Sequence, residues 1–287
     1  MAEAKAKSGN KKRSKADTDS GASAEEKAIK PKPRIHIIDE LRGFAIFCMV
    51  FFHAFFTVGF IFDLQWGQWL YNFFVPAEPY FAGLFILISG VACNLSHSNL
   101  ERGVKLALIA LAVTLVTYLA KPLIGEENLI SFGILHMLAC GMLLYGLINK
   151  YLKLIPCWIG IVVNVLLFIL TYTIRWGRIS VPFLFSIKLP QEMYSTPFLF
   201  MFGLPDKNFI SSDYFPLLPW IFMFFAGTFL GRIGIKKKFP KFMFKKRIGF
   251  FGFLGRHSLI IYLAHQPIIL GICYLVQWII SLFPHGT

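Results

Sequence analysis

Long apolar blocks alternate with short polar segments over most of the chain. The blocks cover residues 43–63, 80–96, 104–121, 130–149, 154–174, 215–233 and 258–282. Most have the length of about 17–25 residues that a helix needs to cross roughly 30 Å of hydrocarbon. The pattern therefore predicts an all-α, polytopic integral membrane protein whose partner is the lipid bilayer, with about seven transmembrane helices.

Two segments between the apolar blocks have irregular compositions. Residues 63–79 are expected to connect the first two spans, and Trp66, Trp69 and Tyr71 suit the membrane interface. Residues 175–214 are long for a connection and contain four prolines. Long connections are often functional lids or binding segments. The short apolar runs in this one leave an eighth, short span open.

The basic residues are concentrated beside the apolar blocks. Of the 29 lysines and arginines, ten lie in residues 1–34 and eight in residues 232–247. Such clusters mark the cytoplasmic side of membrane proteins, so the N-terminus is expected in the cytoplasm. The net charge of +14 therefore points to a membrane surface and not to nucleic acid.

The chain divides into two parts by composition. Residues 1–34 contain almost no large apolar side chains and are expected to form a disordered, basic cytoplasmic tail. Residues 35–287 are expected to form the transmembrane domain. The five cysteines lie inside or at the edges of apolar blocks without a CxxC pair, so neither a disulfide framework nor a metal site is expected.

Three histidines lie at membrane depth: His53, His136 and His265. A titratable group inside a span is energetically costly, and such groups often mark functional sites. The bland alternative is that each histidine only makes a hydrogen bond between helices.

The first span carries the most informative pair. Arg42 and His53 are eleven positions apart, which is close to three helical turns, so they share one face. His53 lies roughly 16 Å deeper than Arg42, near the middle of the bilayer. This arrangement suits a phosphate-bearing ligand that enters from the cytoplasm with its reactive end at His53. Alternatively, Arg42 pairs with Asp39 at the headgroups and has no further role.

Four segments of the sequence resemble one known family. They read IDELRGFAIFCMVFFH, ISFGILHML, DYFPLLPWIFMFFAGTFLGR and LGRHSLIIYLAHQP, and they occur in the same order over most of the apolar region. They are similar to bacterial relatives of heparan-α-glucosaminide N-acetyltransferase. The spacing of Arg42 and His53 also resembles the wider superfamily of transmembrane acyltransferases.

The resemblance implies an integral-membrane acetyltransferase that moves an acetyl group from cytosolic acetyl-CoA to an amine or hydroxyl of a sugar or glycoconjugate. His53 matches the superfamily's motif and is the expected general base. The residues expected to bind acetyl-CoA are Arg42, Asp39, Lys246 and Arg247. The residues expected on the acceptor side are His136, Asp213, Tyr214, Trp220 and His265.

The sequence departs from the family in one respect. The lysosomal enzyme has its catalytic histidine in the loop after the first span, whereas residues 63–79 here contain none. The role is therefore expected to pass to His53, and heparan itself is not the expected acceptor.

Two other classes of function remain open at this point. A proton-coupled transporter or flippase of a sugar or lipid could use buried histidines. A membrane scaffold without catalysis would tolerate exchange of Arg42 and His53.

Overall fold

The computed structural model describes residues 34–96, 98–125, 128–181, 184–196 and 198–282. The predicted disordered tail, residues 1–34, lies outside the described residues except for Arg34. The division of the chain at residue 34 therefore stays a prediction.

The described residues are mostly helical. The α-helices are α1 His36–Phe56, α2 Gln65–Phe74, α3 Glu78–Cys93, α4 Asn99–Ile124, α5 Ile134–Leu152, α6 Cys157–Thr171, α7 Leu217–Lys237, α8 Gly249–Arg256 and α9 Ser258–Leu282. A π-helical turn, Thr57–Ile61, extends α1. Seven stretches are long and apolar enough to cross a membrane: His36–Ile61, Gln65–Cys93, Asn99–Pro122, Ile134–Leu152, Cys157–Trp176, Leu217–Lys237 and Ser258–Leu282. The all-α, seven-span prediction is confirmed.

The segment 63–79 is mostly helical, whereas the sequence predicted an irregular connection. Helix α2 leads through a short 3₁₀ turn, Val75–Ala77, directly into α3, so one broken helix forms the second span. Pro76 and Pro79 lie in the first turns of their helical segments. Proline is tolerated there because the first N–H groups of a helix have no partner within the helix. The prolines thus mark new helix starts.

The described part of residues 175–214 contains no eighth span. It forms a short antiparallel hairpin, β1 Arg178–Val181 with β2 Phe185–Lys188, followed by 3₁₀ turns at Gln191–Ser195 and Leu199–Phe202. The backbone at Gly177 and Gly203 has φ values of +76° and +93°. These left-handed conformations suit glycine and reverse the chain, so a continuous helix cannot form here.

Small residues bring pairs of helices close together. Gly90 of α3 faces the backbone of α7 at Phe224, and Gly43 of α1 faces the backbone of α8 at Phe251. Close backbone approach through glycine is a common way to pack membrane helices. In contrast, α4 packs mainly on α5, and α9 packs mainly on α1. Most of α9 is left exposed.

The bundle has two distinct ends. The basic end contains the starts of α1 and α4, the turn between α5 and α6, and the segment between α7 and α8. The loop end contains the π-helical turn after α1 and the described residues of the segments 125–133 and 177–216.

Candidate active site

His53 lies in the wall between two neighbouring cavities. The first, here called the polar cavity, has a volume of about 350 Å³ and the second, the apolar groove, about 510 Å³. Residues that line both are Phe52, His53, Tyr71, Ser212, Asp213 and Tyr262. A ligand in either cavity can therefore approach His53.

Charged groups from three parts of the chain line the polar cavity. Glu78 from α3, Arg175 at the end of the fifth span and Asp213 before α7 all line it. Towards the basic end the cavity reaches Ala45 and Met49 of α1. It thus runs from the loop end to within about one helical turn of Arg42, or roughly 5 Å along the helix from Ala45.

Asp213 joins three parts of the chain at the cavity wall. Its Oδ2 accepts a hydrogen bond of 3.0 Å from the N–H of Ile134 and another from the hydroxyl of Tyr262. The carboxylate thereby lies at the N-terminus of α5, where the helix dipole favours negative charge. Burial raises the pKa of Asp213, whereas its two hydrogen bonds act in the opposite direction. A Cβ atom at Gly133 would overlap Oδ2, so glycine is required there.

His53 and His265 form a pair of adjacent imidazoles. Their ring centroids are 5.0 Å apart. Nδ1 of His265 is 2.5 Å from the carbonyl oxygen of Tyr262. A carbonyl can only accept, so Nδ1 carries the proton and Nε2 is the basic nitrogen of the neutral ring. Within the described chain, the ring of His53 makes no hydrogen bond, so its lone pair is free for a substrate.

His136 has a different position from the other two histidines. Its Nδ1 accepts from the N–H of Gly133 at 3.2 Å and caps α5. Its Nε2 lies 3.2 Å from Oγ1 of Thr114, whose hydroxyl donates to the carbonyl of Ile130 at 2.7 Å. Both ring nitrogens are therefore engaged, with the proton on Nε2. His136 lines neither the polar cavity nor the apolar groove.

The residues expected to bind acetyl-CoA lie at the basic end. Arg42 Nη1 is 3.9 Å from Asp39 Oδ1, and Arg42 also lies within electrostatic reach of Cys93, as does Arg102. None of these side chains lines the cavities that contain His53. Arg102, near the start of α4, lies at this same end, and sequence reasoning did not select it.

Lys246 and Arg247 begin the approach to α8. The backbone N–H groups of Arg247 and Ile248 donate to Oε1 of Glu40 at 2.7 and 3.0 Å. The guanidinium of Arg247 lies 5.7 Å from the ring centroid of Phe242, and the Lys246 side chain is exposed. Glu40 therefore attaches this basic segment to α1 near Arg42.

A second basic cluster occupies the loop end. Four cations that are spread over the sequence, Arg175, Arg178, Lys188 and Lys207, line one open pocket of about 880 Å³. Arg175 also lines the polar cavity. Its guanidinium lies 5.1 Å from the ring centroid of Tyr214. Arg175 is therefore the link between the surface pocket and the cavity of His53.

Tyr214 and Trp220 differ in their access to the site. Tyr214 lines the polar cavity, and its hydroxyl donates to the carbonyl of Phe200 at 2.6 Å. Trp220 is 8% exposed, packs against the rings of Phe168 and Phe215, and lines neither cavity. Trp220 thus supports the wall from behind.

Sequence reasoning missed Glu78, Arg175 and Tyr262 as lining residues. Glu78 was placed in a connection, although the helical reading of the segment puts an acid inside a span. Tyr262 lies one turn before His265, in a segment already selected for its resemblance. No pattern in the sequence shows that Arg175, an exposed residue, also lines the polar cavity.

The fold defines a polytopic helical membrane protein, in which two membrane-spanning helices bring His53 and His265 together beside the cavities. The model of one family, described as "Heparan-alpha-glucosaminide N-acetyltransferase, catalytic", matches residues 34–267. The chain belongs to this family, which confirms the resemblance and makes the protein a membrane acetyltransferase in general terms. No curated protein and no solved structure matches the chain.

Proposed function

We propose that the protein transfers an acetyl group from acetyl-CoA to an amine or hydroxyl of a sugar or glycoconjugate, with His53 as the general base. The proposal depends on one observation. His53 lines both cavities, and its ring has no hydrogen bond within the described chain. Two substrates can then meet at one base from different sides.

The chemical step needs one proton acceptor and an open path to the thioester. The lone pair of the acceptor nitrogen or oxygen attacks the thioester carbonyl carbon while His53 takes the proton from that atom. The carbon–sulfur bond breaks, and the thiolate of CoA leaves with the electron pair and receives the proton from His53. No oxidant or metal takes part in this balance.

Acetyl-CoA is proposed to approach from the basic end. The guanidinium and ammonium groups of Arg42, Lys246 and Arg247 suit its phosphates, and Arg102 adds a further cation. Asp39 would hold Arg42 in position through their contact of 3.9 Å. The side chains of α1 between Arg42 and the floor of the polar cavity separate the phosphates from His53. The acetyl arm can therefore reach His53 only if these side chains move aside over about one helical turn of α1.

The acceptor is proposed to bind in the cavities on the side of the loop end. Asp213 and Tyr214 offer polar groups in the polar cavity, and His265 offers its basic Nε2 in the apolar groove. His136 and Trp220 would act as positioning residues, because their contacts hold the start of α5 and of α7.

The test is acetyl transfer by the protein reconstituted in lipid vesicles, with labelled acetyl-CoA and glucosamine as substrates. His53→Ala is expected to lower the rate by about 10²-fold or more, the typical contribution of a positioned base. His257→Ala is the matched control, because His257 is exposed at the junction of α8 and α9. Equal rates for His53→Ala and the wild type, at equal protein levels, would remove His53 from the chemistry.

The alternative function is proton-coupled movement of a sugar or lipid across the membrane. It is favoured by one observation, the adjacent imidazoles of His53 and His265 between two cavities, because paired titratable groups can relay protons. Vesicles would then accumulate labelled sugar without consuming acetyl-CoA. The proposed acetyltransferase would instead consume acetyl-CoA in proportion to acetylated product.

A further inference from the structure

The apolar groove is a gap between two membrane-spanning helices. Because α4 packs on α5 and α9 packs on α1, the two helices leave a space between them. On α4 the groove extends from Ile109 to Ala120, which is about 16 Å of helix. The groove therefore lies at the depth of the lipid tails.

The lining of the groove changes from apolar to polar towards the site. Ala112 and Val116 are exposed on α4 and line the groove with Leu270 of α9. At its inner end the lining includes His53 and His265. The lining of the groove therefore complements an amphipathic ligand, whose apolar chain would lie in the outer part and whose polar head would lie at the imidazoles.

We infer that the groove binds the alkyl chain of a lipid-linked sugar, so that the acceptor of the acetyl group is a glycolipid whose head reaches His53. This inference rests on the proposed function and specifies its acceptor. The other substrate does not fit, because CoA carries phosphates and the described residues that line the groove include no lysine or arginine. A soluble sugar would leave the apolar lining to the tails of bulk lipid, whereas the alkyl chain of a glycolipid occupies it and holds the sugar head beside His53.

The first experiment measures acetyl transfer to methyl, octyl and dodecyl β-glucosaminides in vesicles. For the wild type, kcat/KM is expected to rise about tenfold or more from the methyl to the dodecyl compound. The double variant Ala112→Trp/Val116→Trp fills the groove and is expected to lower the dodecyl-to-methyl ratio to about one.

Leu115→Trp is the matched control, because Leu115 is 57% exposed on the same helix and does not line the groove. It is expected to keep the wild-type ratio, so that a loss confined to the double variant excludes both a general effect of tryptophan on α4 and simple partitioning of long chains into the membrane. An equal ratio in the wild type, the double variant and the control would overturn the inference.

The second experiment needs no turnover. A dodecyl glucosaminide with a diazirine in its chain is photolysed in vesicles, and the labelled residues are found by mass spectrometry. Labelling is expected on α4 and α9 along the groove, with competition by dodecyl glucosaminide and loss in the double variant. If excess dodecyl glucosaminide does not reduce the labelling, the probe reacts from bulk phospholipid only. That result would overturn the inference. Competed labelling without any acetyl transfer would support the glycolipid site and refute the proposed reaction.

Discussion

Tyr262 contributes to the site by satisfying a buried carboxylate. Its hydroxyl donates a hydrogen bond to the carboxylate of Asp213. In the described chain, the other hydrogen bond to this carboxylate comes from the N–H of Ile134. Removing one donor from a buried acceptor costs about 1–3 kcal/mol. We predict that Tyr262→Phe lowers the free energy of unfolding by that amount, measured as a lower thermal midpoint in detergent. Tyr274→Phe, 55% exposed on the same helix, is the control. Equal midpoints for the two variants would contradict the prediction.

Arg175 connects the basic pocket at the loop end to the polar cavity. If the acceptor head occupies that cavity, its oxygens can accept a charge-assisted hydrogen bond from the guanidinium. We predict that Arg175→Ala raises the KM for a glucosaminide acceptor about tenfold, the effect of one such bond, and leaves the KM for acetyl-CoA within twofold. Lys188→Ala serves as the control, because Lys188 lines the surface pocket but not the polar cavity. A rise in the KM for acetyl-CoA instead would place the donor at this end.

The sequence supplied only part of the site at this scale. His53 and His265 could be selected because the cost of a titratable group at membrane depth is independent of the fold, and Asp213 could be selected because its segment resembles the family. The tautomer of His265 and the position of Arg175 beside the polar cavity could not be predicted. They depend on which carbonyl or ring lies nearby, and in the case of Arg175 on the turn at Gly177, which ends the fifth span.

At the scale of elements, α8 is held on α1 by close glycine contacts. A Cβ atom at Gly43 would overlap the carbonyl oxygen of Phe251, whereas one at Gly271 would have no atom within 4 Å among the described residues. We predict that Gly43→Ala lowers the free energy of unfolding by about 1–3 kcal/mol through overpacking. Gly271→Ala is expected to be neutral or to stabilise α9 by up to about 1 kcal/mol. Thermal unfolding of both variants measures the difference, and a neutral Gly43→Ala would mean that α8 can move away from α1 freely.

The helical pattern could be predicted for continuous apolar blocks and not for interrupted ones. Residues 63–79 contain prolines and a glutamate, which sequence reasoning treats as signs of a connection. Pro76 and Pro79 instead start new helical segments, and Glu78 is accommodated because it faces the polar cavity. Tertiary surroundings thus decided the outcome where local composition was ambiguous.

At the scale of the whole molecule, the proposed reaction depends on which end of the bundle faces the cytoplasm. Acetyl-CoA is a cytosolic donor, so the cations around Arg42 are useful to the reaction only if the basic end is inside. The charge distribution favours this orientation, because ten of the 29 lysines and arginines precede α1 and eight more lie at positions 232–247. The four cations at the loop end act against it, but they line one pocket, and a binding role for that pocket would account for them.

Two exposed leucines at opposite ends of the bundle allow a direct test of this orientation. Leu154, between α5 and α6, is 81% exposed, and Leu184, in the β-hairpin, is 77% exposed. In a background without other cysteines, we predict that a membrane-impermeant maleimide labels Leu184→Cys in intact cells and labels Leu154→Cys only after permeabilisation. The opposite result would put the basic end outside. Arg42 could then not meet a cytosolic donor, and the cations at the loop end, with Arg175 leading to His53, would become the site for the CoA phosphates.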